Sequence, residues 1–380
     1  MRIVVLGAGR VGSAIAVDLA KEDAFDVRVA DRDGARLTHL VERHGIPGER
    51  VDFSLPSTVA RAIGGADLAV SAVPGFLGYR TLEAVVATGI DVVDIAFFPE
   101  DPFELDRLAK ERGVRAIVDC GVAPGMSNLL VGYADSRLDE TESVAIYVGG
   151  LPAVRVPPFE YRAVFSPIDV IEEYMRPARI VIAGKTEVRP ALSDHEILHF
   201  AEVGDLEAFL TDGLRTLVDT IEASHMIEKT LRYPGHAAKV ALLRDAGFLS
   251  QEPIEIDGRD VRPIDVATKL LFPLWELREG EEDLTVMRIE VTGRAGGEPA
   301  RHTYDLLDRY DPVTGTTSMA RTTGYTAAMA ARLLIDDRWT EPGIVPPEFI
   351  GRHSDAAEFI LAGLKNRGIV YRESIERTDR

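Results

Sequence analysis

With 380 residues, 46% of them hydrophobic and 28% charged, the chain has the composition of a globular protein long enough to form two lobes. Its formal net charge of -19 argues against nucleic acid or an anionic membrane as partner, because both select basic surfaces. The single cysteine, Cys120, excludes an internal disulfide framework, and no stretch reaches the roughly 20 apolar residues needed to cross a bilayer.

The opening MRIVVLGAG runs directly into an apolar strand pattern without a basic region or a cleavage site. The expectation is therefore a chain without a signal peptide, located in the cytoplasm. Up to about residue 120, short β-branched runs alternate with helical stretches. Strands are expected at Arg2–Leu6, Val27–Ala30, Leu68–Val73, Val92–Ile95 and Ala116–Val118, with amphipathic helices such as Ser13–Lys21 and Tyr79–Thr88 between them. That alternation predicts βαβ units and a doubly wound parallel sheet.

Gly7-Ala8-Gly9-Arg10-Val11-Gly12 follows the first strand and opens a helix, and Asp31 ends the second strand. The first glycine suits the tight turn, the second the approach of a pyrophosphate, and the third close helix–strand packing. The pattern predicts a Rossmann dinucleotide-binding domain. Asp31 suits the ribose hydroxyls of NAD and repels a 2′-phosphate; Arg32 next to it leaves NADP open. Ala72-Val73-Pro74 lies at a strand's carboxyl end, where such sheets bind their ligand, and Gly75–Gly78 is expected to pass under the nicotinamide half.

Beyond Pro124–Gly125 prolines become frequent, with strand-like runs VAIYVGG and RIVIAG and two further strands over 283–305 joined by Gly296–Gly297. Residues 317–335 read as a long Ala-rich helix. The predicted organisation is α/β: a Rossmann domain over 1–123, an inserted α+β substrate and dimerisation domain over 124–316, and helices over 317–380 returning to the first lobe.

His195-Glu196-Ile197-Leu198-His199 matches the H-E-x-x-H pattern of zinc peptidases, with Glu207 or Glu222 as possible third ligands. Its setting, a polar stretch in the second lobe of a Rossmann protein, favours a surface or interface helix that carries two histidines, and no metal is expected.

Three stretches carry a wider resemblance: Asp119-Cys120-Gly121-Val122-Ala123-Pro124-Gly125-Met126-Ser127-Asn128, Thr211-Asp212-Gly213-Leu214-Arg215-Thr216-Leu217, and Lys229-Thr230-Leu231-Arg232-Tyr233-Pro234-Gly235-His236. With the closing Thr323-Gly324 helix and the GIVPPE segment at 343–348, the chain resembles the saccharopine dehydrogenase superfamily, most closely the lysine 6-dehydrogenases. The resemblance implies a homodimer that oxidises an amine of a small amino-acid substrate, with NAD accepting the hydride. The activity implied first is oxidation of the ε-amino carbon of L-lysine to the 6-semialdehyde, which cyclises to piperideine-6-carboxylate, with release of ammonia. Saccharopine or carboxynorspermidine is the alternative substrate, and a non-catalytic NAD-binding protein or a zinc hydrolase the alternatives outside that chemistry.

Amine oxidation needs a base for the ammonium proton and an Arg fork for the carboxylate. The carboxylate candidates are Arg232 and Arg215, with Tyr233 beside the former. Acid/base candidates are His225, His236 and Asp94, the last inside the apolar DVVDIAFF run. Cys120 could touch the nicotinamide or be a packing residue. Tyr147 and Glu160 are candidates for the ammonium end, and Arg155, Arg162, Arg176 and Arg179 could serve the extra carboxylates of saccharopine.

Overall fold

The computed structural model describes residues 1–164 and 167–377. The chain divides into two compact units, Met1–Glu140 with Gly293–His302 and Met319–Arg380, and Thr141–Thr292 with Thr303–Ser318. The first division falls at Glu140 rather than at 123. The helix Met126–Asp135 runs so close to Pro347–Gly351 that a side chain at Gly132 would overlap the Glu348 backbone, which keeps it in the first unit.

In the first unit a sheet runs in the order Gly343–Val345, Arg115–Ile117, Asp91–Asp94, Leu68–Ser71, Arg2–Leu6, Asp26–Asp31, Gly48–Arg50. All its pairings are parallel. Helices cover both faces of such a sheet, which is why RIVVL and LAVS are apolar without alternation and are buried after Arg2. The order reverses between Arg2–Leu6 and Leu68–Ser71, and a doubly wound sheet opens its ligand crevice at that switch. Local chemistry places the helices: Asp33 accepts the N–H groups of Ala35 and Arg36 and so starts Gly34–His44. The helix expected at Tyr79–Thr88 begins one turn earlier, so Gly75–Gly78 is the first turn of the helix Gly75–Thr88.

A buried ionic knot ties the front of this unit to its C-terminal helices. Asp18, 1% exposed, takes Arg332 Nη1 at 2.9 Å and Arg367 Nη2 at 2.9 Å. Removing one member of such a knot costs about 3–5 kcal/mol, because an uncompensated charge stays buried. The long helix Ser318–Ile335 also lays Gly324 against Val11 and Ala14 of the helix Arg10–Leu19.

In the second unit His225–Arg232 lies between Gly204–Leu210, antiparallel to it, and Glu140–Pro152, parallel to it. Ala178–Ile182 pairs with the start of the same strand. Helices Pro167–Met175, His236–Asp245 and Pro263–Trp275 pack a core of Tyr161, Tyr174, Phe209 and Trp275.

The histidine motif is corrected here. Glu196–Phe200 is a strand, paired antiparallel with Gly204–Leu210. On a strand, residues four apart lie about 13 Å apart, so His195 and His199 cannot share one ion. His199 instead pairs its Nδ1 with Asp205 at 2.8 Å, and Glu207 caps the helix His236–Asp245 by accepting the N–H groups of Gly235 and Ala237. Among the described residues no cluster of three metal-ligating side chains forms, and no helix is long and apolar enough to cross a membrane.

Candidate active site

The glycine turn sits where the first sheet switches direction. Gly7 has φ +113°, and a side chain there would run into the Ala72 carbonyl; one at Gly12 would run into the Gly7 carbonyl. These two glycines close the turn on Ala72-Val73-Pro74 and on the helix. Gly9 differs: a Cβ there would meet only Arg36 Nη1, at 3.9 Å. The middle glycine therefore leaves open space at the N-terminus of the helix Arg10–Leu19, where backbone N–H groups and the helix dipole favour a phosphate. Arg10 is exposed at the mouth of the turn, and Val11 is half-buried.

Asp31 lies at the turn as expected, and it is engaged there. Its Oδ2 accepts the Ala8 N–H at 2.6 Å and its Oδ1 the Asp33 N–H at 2.8 Å. Arg32 is exposed, and Arg50 donates to its carbonyl at 3.0 Å. Arg36, absent from the sequence expectations, pairs with Asp33 at 3.3 Å beside Gly9. Its signal was available, since it stands in the first turn of the helix that follows the acidic strand end.

Farther along the same carboxyl edge, Asp94 ends its strand opposite Ser71 in register and is fully buried. Its carbonyl accepts the Cys120 N–H at 2.9 Å. Burial, reinforced by the charges of Asp94 and Asp119, pushes the Cys120 thiol far above its ordinary range. A thiol so placed stays protonated and packs; it is no thiolate nucleophile. Asp119, also buried and with φ +50°, stands with them. It had only been read as part of the motif.

The second unit gathers a different set. Arg232 ends its strand buried, and is not a helix-face charge. Its Nε donates to the Tyr174 hydroxyl at 3.0 Å, its Nη1 to the Leu231 carbonyl at 3.0 Å, and its Nη2 faces Glu173 at 3.5 Å. The guanidinium lies 4.7 Å from the centre of the Tyr161 ring. Burial works against its charge; Tyr174, Tyr161 and Glu173 outweigh burial and hold it above its ordinary range.

His236 extends this array but does not exchange protons near neutral pH. Burial, then the Arg232 charge, lowers its pKa to about 3. Its Nε2 lies 3.0 Å from the Tyr174 hydroxyl and its Nδ1 3.1 Å from the Phe159 carbonyl. A neutral ring donating from Nδ1 to the carbonyl and accepting at Nε2 satisfies both contacts. His236 therefore orients Tyr174, which in turn receives Arg232.

The other candidates scatter. Arg215 is buried, with φ +53°. Near it Arg179 grips Asp212 with Nε at 2.9 Å and Nη2 at 3.1 Å, while burial and then the Arg215 charge hold Arg176 below its ordinary value. Tyr147 pairs in register with Lys229; burial, then Glu196 and Glu290, pushes its hydroxyl up to about 12. Lys229 is held by Glu196 at 2.7 Å and Asp194 at 2.9 Å. Tyr233 donates to the Pro152 carbonyl at 2.9 Å. Glu160 already faces Arg155 and Lys239, Arg162 pairs with Glu281, and His225 is exposed at a strand's start. Sequence reasoning missed Glu173 and Tyr174, which reach Arg232 only through folding, and Glu228, which meets Thr211 and the Gly213 N–H on the same strand face.

A parallel sheet whose glycine turn leaves open space at the switch point is the arrangement of a dinucleotide-binding domain, the cofactor-holding half of an NAD(P)-dependent dehydrogenase. Residues 3–117 match the NADP binding domain of saccharopine dehydrogenase and residues 121–369 the saccharopine dehydrogenase C-terminal domain. The chain belongs to the saccharopine dehydrogenase family.

Among curated relatives it is 24% identical to the carboxyaminopropylagmatine dehydrogenase of Synechocystis sp., over 98% of both chains. It is 22% identical to the NADP(+)-dependent, L-glutamate-forming saccharopine dehydrogenase of Saccharomyces cerevisiae, over 91% of this chain and 93% of the other. The alpha-aminoadipic semialdehyde synthase of Bos taurus matches at 22% over 97% of this chain, which spans only 47% of that protein. The solved apo structure of the S. cerevisiae saccharopine dehydrogenase shares the fold, with a TM-score of 0.80 and 22% identity over 99% of each chain. So does the homospermidine synthase of Legionella pneumophila in complex with NAD, with a TM-score of 0.71 and 14% identity over 100% of this chain and 92% of that one.

Proposed function

We propose that the chain oxidises the ε-amine of L-lysine to the 6-semialdehyde, with release of ammonia and NAD as the preferred hydride acceptor. The observation that carries this reading is Arg232, one buried guanidinium framed by Tyr161 and Tyr174, a match for one α-carboxylate. Bound NAD would supply the hydride acceptor. The space at Gly9 would take its pyrophosphate, and Asp31 its adenosine ribose.

Asp94 is the group we assign as base. It takes a proton from the substrate ammonium, which frees the nitrogen lone pair to form the C=N bond as hydride leaves carbon. Water then adds to that carbon and ammonia departs. Cys120, neutral and small, shapes the wall beside Asp94. The working form is taken to be a cytoplasmic homodimer, on the family resemblance and the absence of any cysteine pair.

A second reading has its own support. The guanidinium groups of Arg176, Arg179 and Arg215 are concentrated around Asp212, and such a place suits a further carboxylate. A carboxylated secondary amine such as saccharopine would use it. NADH formation with lysine, saccharopine and carboxynorspermidine decides between the two. Turnover with lysine at least tenfold above the others is expected; saccharopine in first place would transfer the assignment.

A further inference from the structure

Glu228, Thr230 and Arg232 alternate along one strand and so share one of its faces, all three buried. Thr211 meets that face from the end of Gly204–Leu210, and Glu173 from the helix Pro167–Met175. Glu228 Oε2 lies 2.7 Å from the Thr211 hydroxyl, which lies 2.9 Å from the Thr230 hydroxyl, which lies 2.5 Å from Glu173 Oε1. Gly213 brings its N–H to Glu228 at 3.0 Å, and any side chain at 213 would overlap the Glu228 carboxyl.

Three oxygen–oxygen contacts need three hydrogens. The two threonine hydroxyls bring one each, and two ionised carboxylates bring none. With both carboxylates charged, one contact would set lone pair against lone pair in a buried, poorly screened place. The missing hydrogen is a carboxylic proton. The chain then closes from Glu228 through Thr211 and Thr230 to an ionised Glu173, or in reverse.

The surrounding charges choose the direction. The Arg232 guanidinium lies against the Glu173 end of the chain, with Nη2 at 3.5 Å from Oε1. Glu228 is shielded from water and feels the Glu173 and Asp212 carboxylates, which push its pKa up to about 8 against the pull of Thr211 and the Gly213 N–H.

We propose that Glu173 and Glu228 hold a single proton between them along the Thr211–Thr230 hydroxyl pair. Glu228 is thereby a positioning residue: it keeps one negative charge, not two, on the chain of groups whose Glu173 end faces Arg232, while an amino-acid carboxylate binds there. The proton sharing stands on the geometry alone; the effect on binding rests on the assignment of Arg232 to the substrate. When the chain loses its proton, both hydroxyls turn outward to their carboxylates, the Thr211–Thr230 contact is lost, and an incoming carboxylate meets added negative charge.

Difference infrared titration of the full chain without substrate reads the proton directly. Wild type should show a carboxylic C=O band that disappears with a midpoint near pH 8, and Glu228→Gln should lack it. The Gln amide oxygen can keep the Gly213 N–H, and the side chain brings no titratable proton to the chain. In kinetics, the KM for lysine should rise by up to about tenfold per pH unit above that midpoint, with kcat unmoved, and Glu228→Gln should flatten the rise. Wild type without a band that the substitution removes overturns the proposal. A band present while no amine is oxidised sinks the functional assignment and leaves the shared proton standing. Should Glu228→Gln not fold, Thr211→Val keeps both carboxyls and cuts the chain, so the midpoint must move; an unmoved midpoint also overturns the proposal.

Discussion

Asp31 Oδ2 and the Ala8 N–H are 2.6 Å apart, so the carboxylate assigned to the adenosine ribose also braces the phosphate turn. Two roles on one side chain separate under substitution. Asp31→Asn retains an acceptor for the turn and drops the charge, whereas Asp31→Ala releases the turn as well. Asp31→Asn should lower the NAD/NADP ratio of kcat/KM at least tenfold, about 1.4 kcal/mol. Asp31→Ala should weaken both cofactors. An unchanged ratio in both variants would mean that the ribose is held elsewhere.

The three glycines of the turn should fail in different ways. Gly9→Val fills the open space and should weaken cofactor binding by tenfold or more while moving the melting temperature little. Gly7→Val meets the Ala72 carbonyl at φ +113° and should destabilise the unit itself, by roughly 1–3 kcal/mol. Cofactor titration beside thermal unfolding separates the two. Equal losses of stability would remove the case for a pyrophosphate at Gly9.

Arg232→Lys keeps the charge but loses the fork to Tyr174 and Leu231, so it should not rescue. Arg232→Ala should cost on the order of 2–4 kcal/mol in kcat/KM for lysine, with NAD affinity nearly untouched. Paired cofactor and amino-acid titrations are the check. A joint fall of both affinities would make Arg232 a structural residue, and no change in either would pass its role to Arg215.

His236 gives stability a definite pH dependence. Its folded pKa, about 3, lies below the ordinary imidazole value of 6.5, so the unfolded chain binds the proton first. The stability it contributes is whole above pH 6.5 and is lost as pH falls toward 3, by up to about 1.4 kcal/mol per pH unit. His236→Gln, which cannot take up that proton, should flatten the acid limb of a plot of unfolding free energy against pH. A limb of unchanged slope would place the acid-sensitive group elsewhere.

His199→Ala, or treatment with chelator, should leave dehydrogenase turnover within a factor of about two, because a strand holds His195 and His199 too far apart for one ion. Stoichiometric zinc that leaves together with activity would contradict this.

The first unit was legible because strands covered on both faces read as unbroken apolar runs, and the glycine turn needs its residues in a fixed local order. The H-E-x-x-H segment misled for a physical reason. Residues i and i+4 share a face on a helix and on a strand alike, and only pairing with Gly204–Leu210 shows which element forms. The helix expected from Tyr79 starts at Gly75; its two glycines weaken the helical signal of a first turn that packing still forms. Arg232 could be singled out from its motif. Its partners Glu173 and Tyr174 come from the distant stretch PIDVIEEYM, which carries no local sign of where it will dock. The alternation of Glu228, Thr230 and Arg232 was readable as one strand face; that the face is buried was not.

The knot at Asp18 bears on how the protein is made. The sheet that shapes the cofactor turn takes its Gly343–Val345 strand, and Asp18 its Arg332 and Arg367 partners, from residues far downstream of the glycine turn. Until those residues are made, Asp18 has its neighbour Lys21 but neither buried arginine, and the sheet edge at Arg115–Ile117 is open. The dinucleotide fold cannot be finished on emergence. It waits for the segment that carries Arg332, Gly343–Val345 and Arg367, so a chain cut before that segment would lack a stable nucleotide site and remain open to proteolysis.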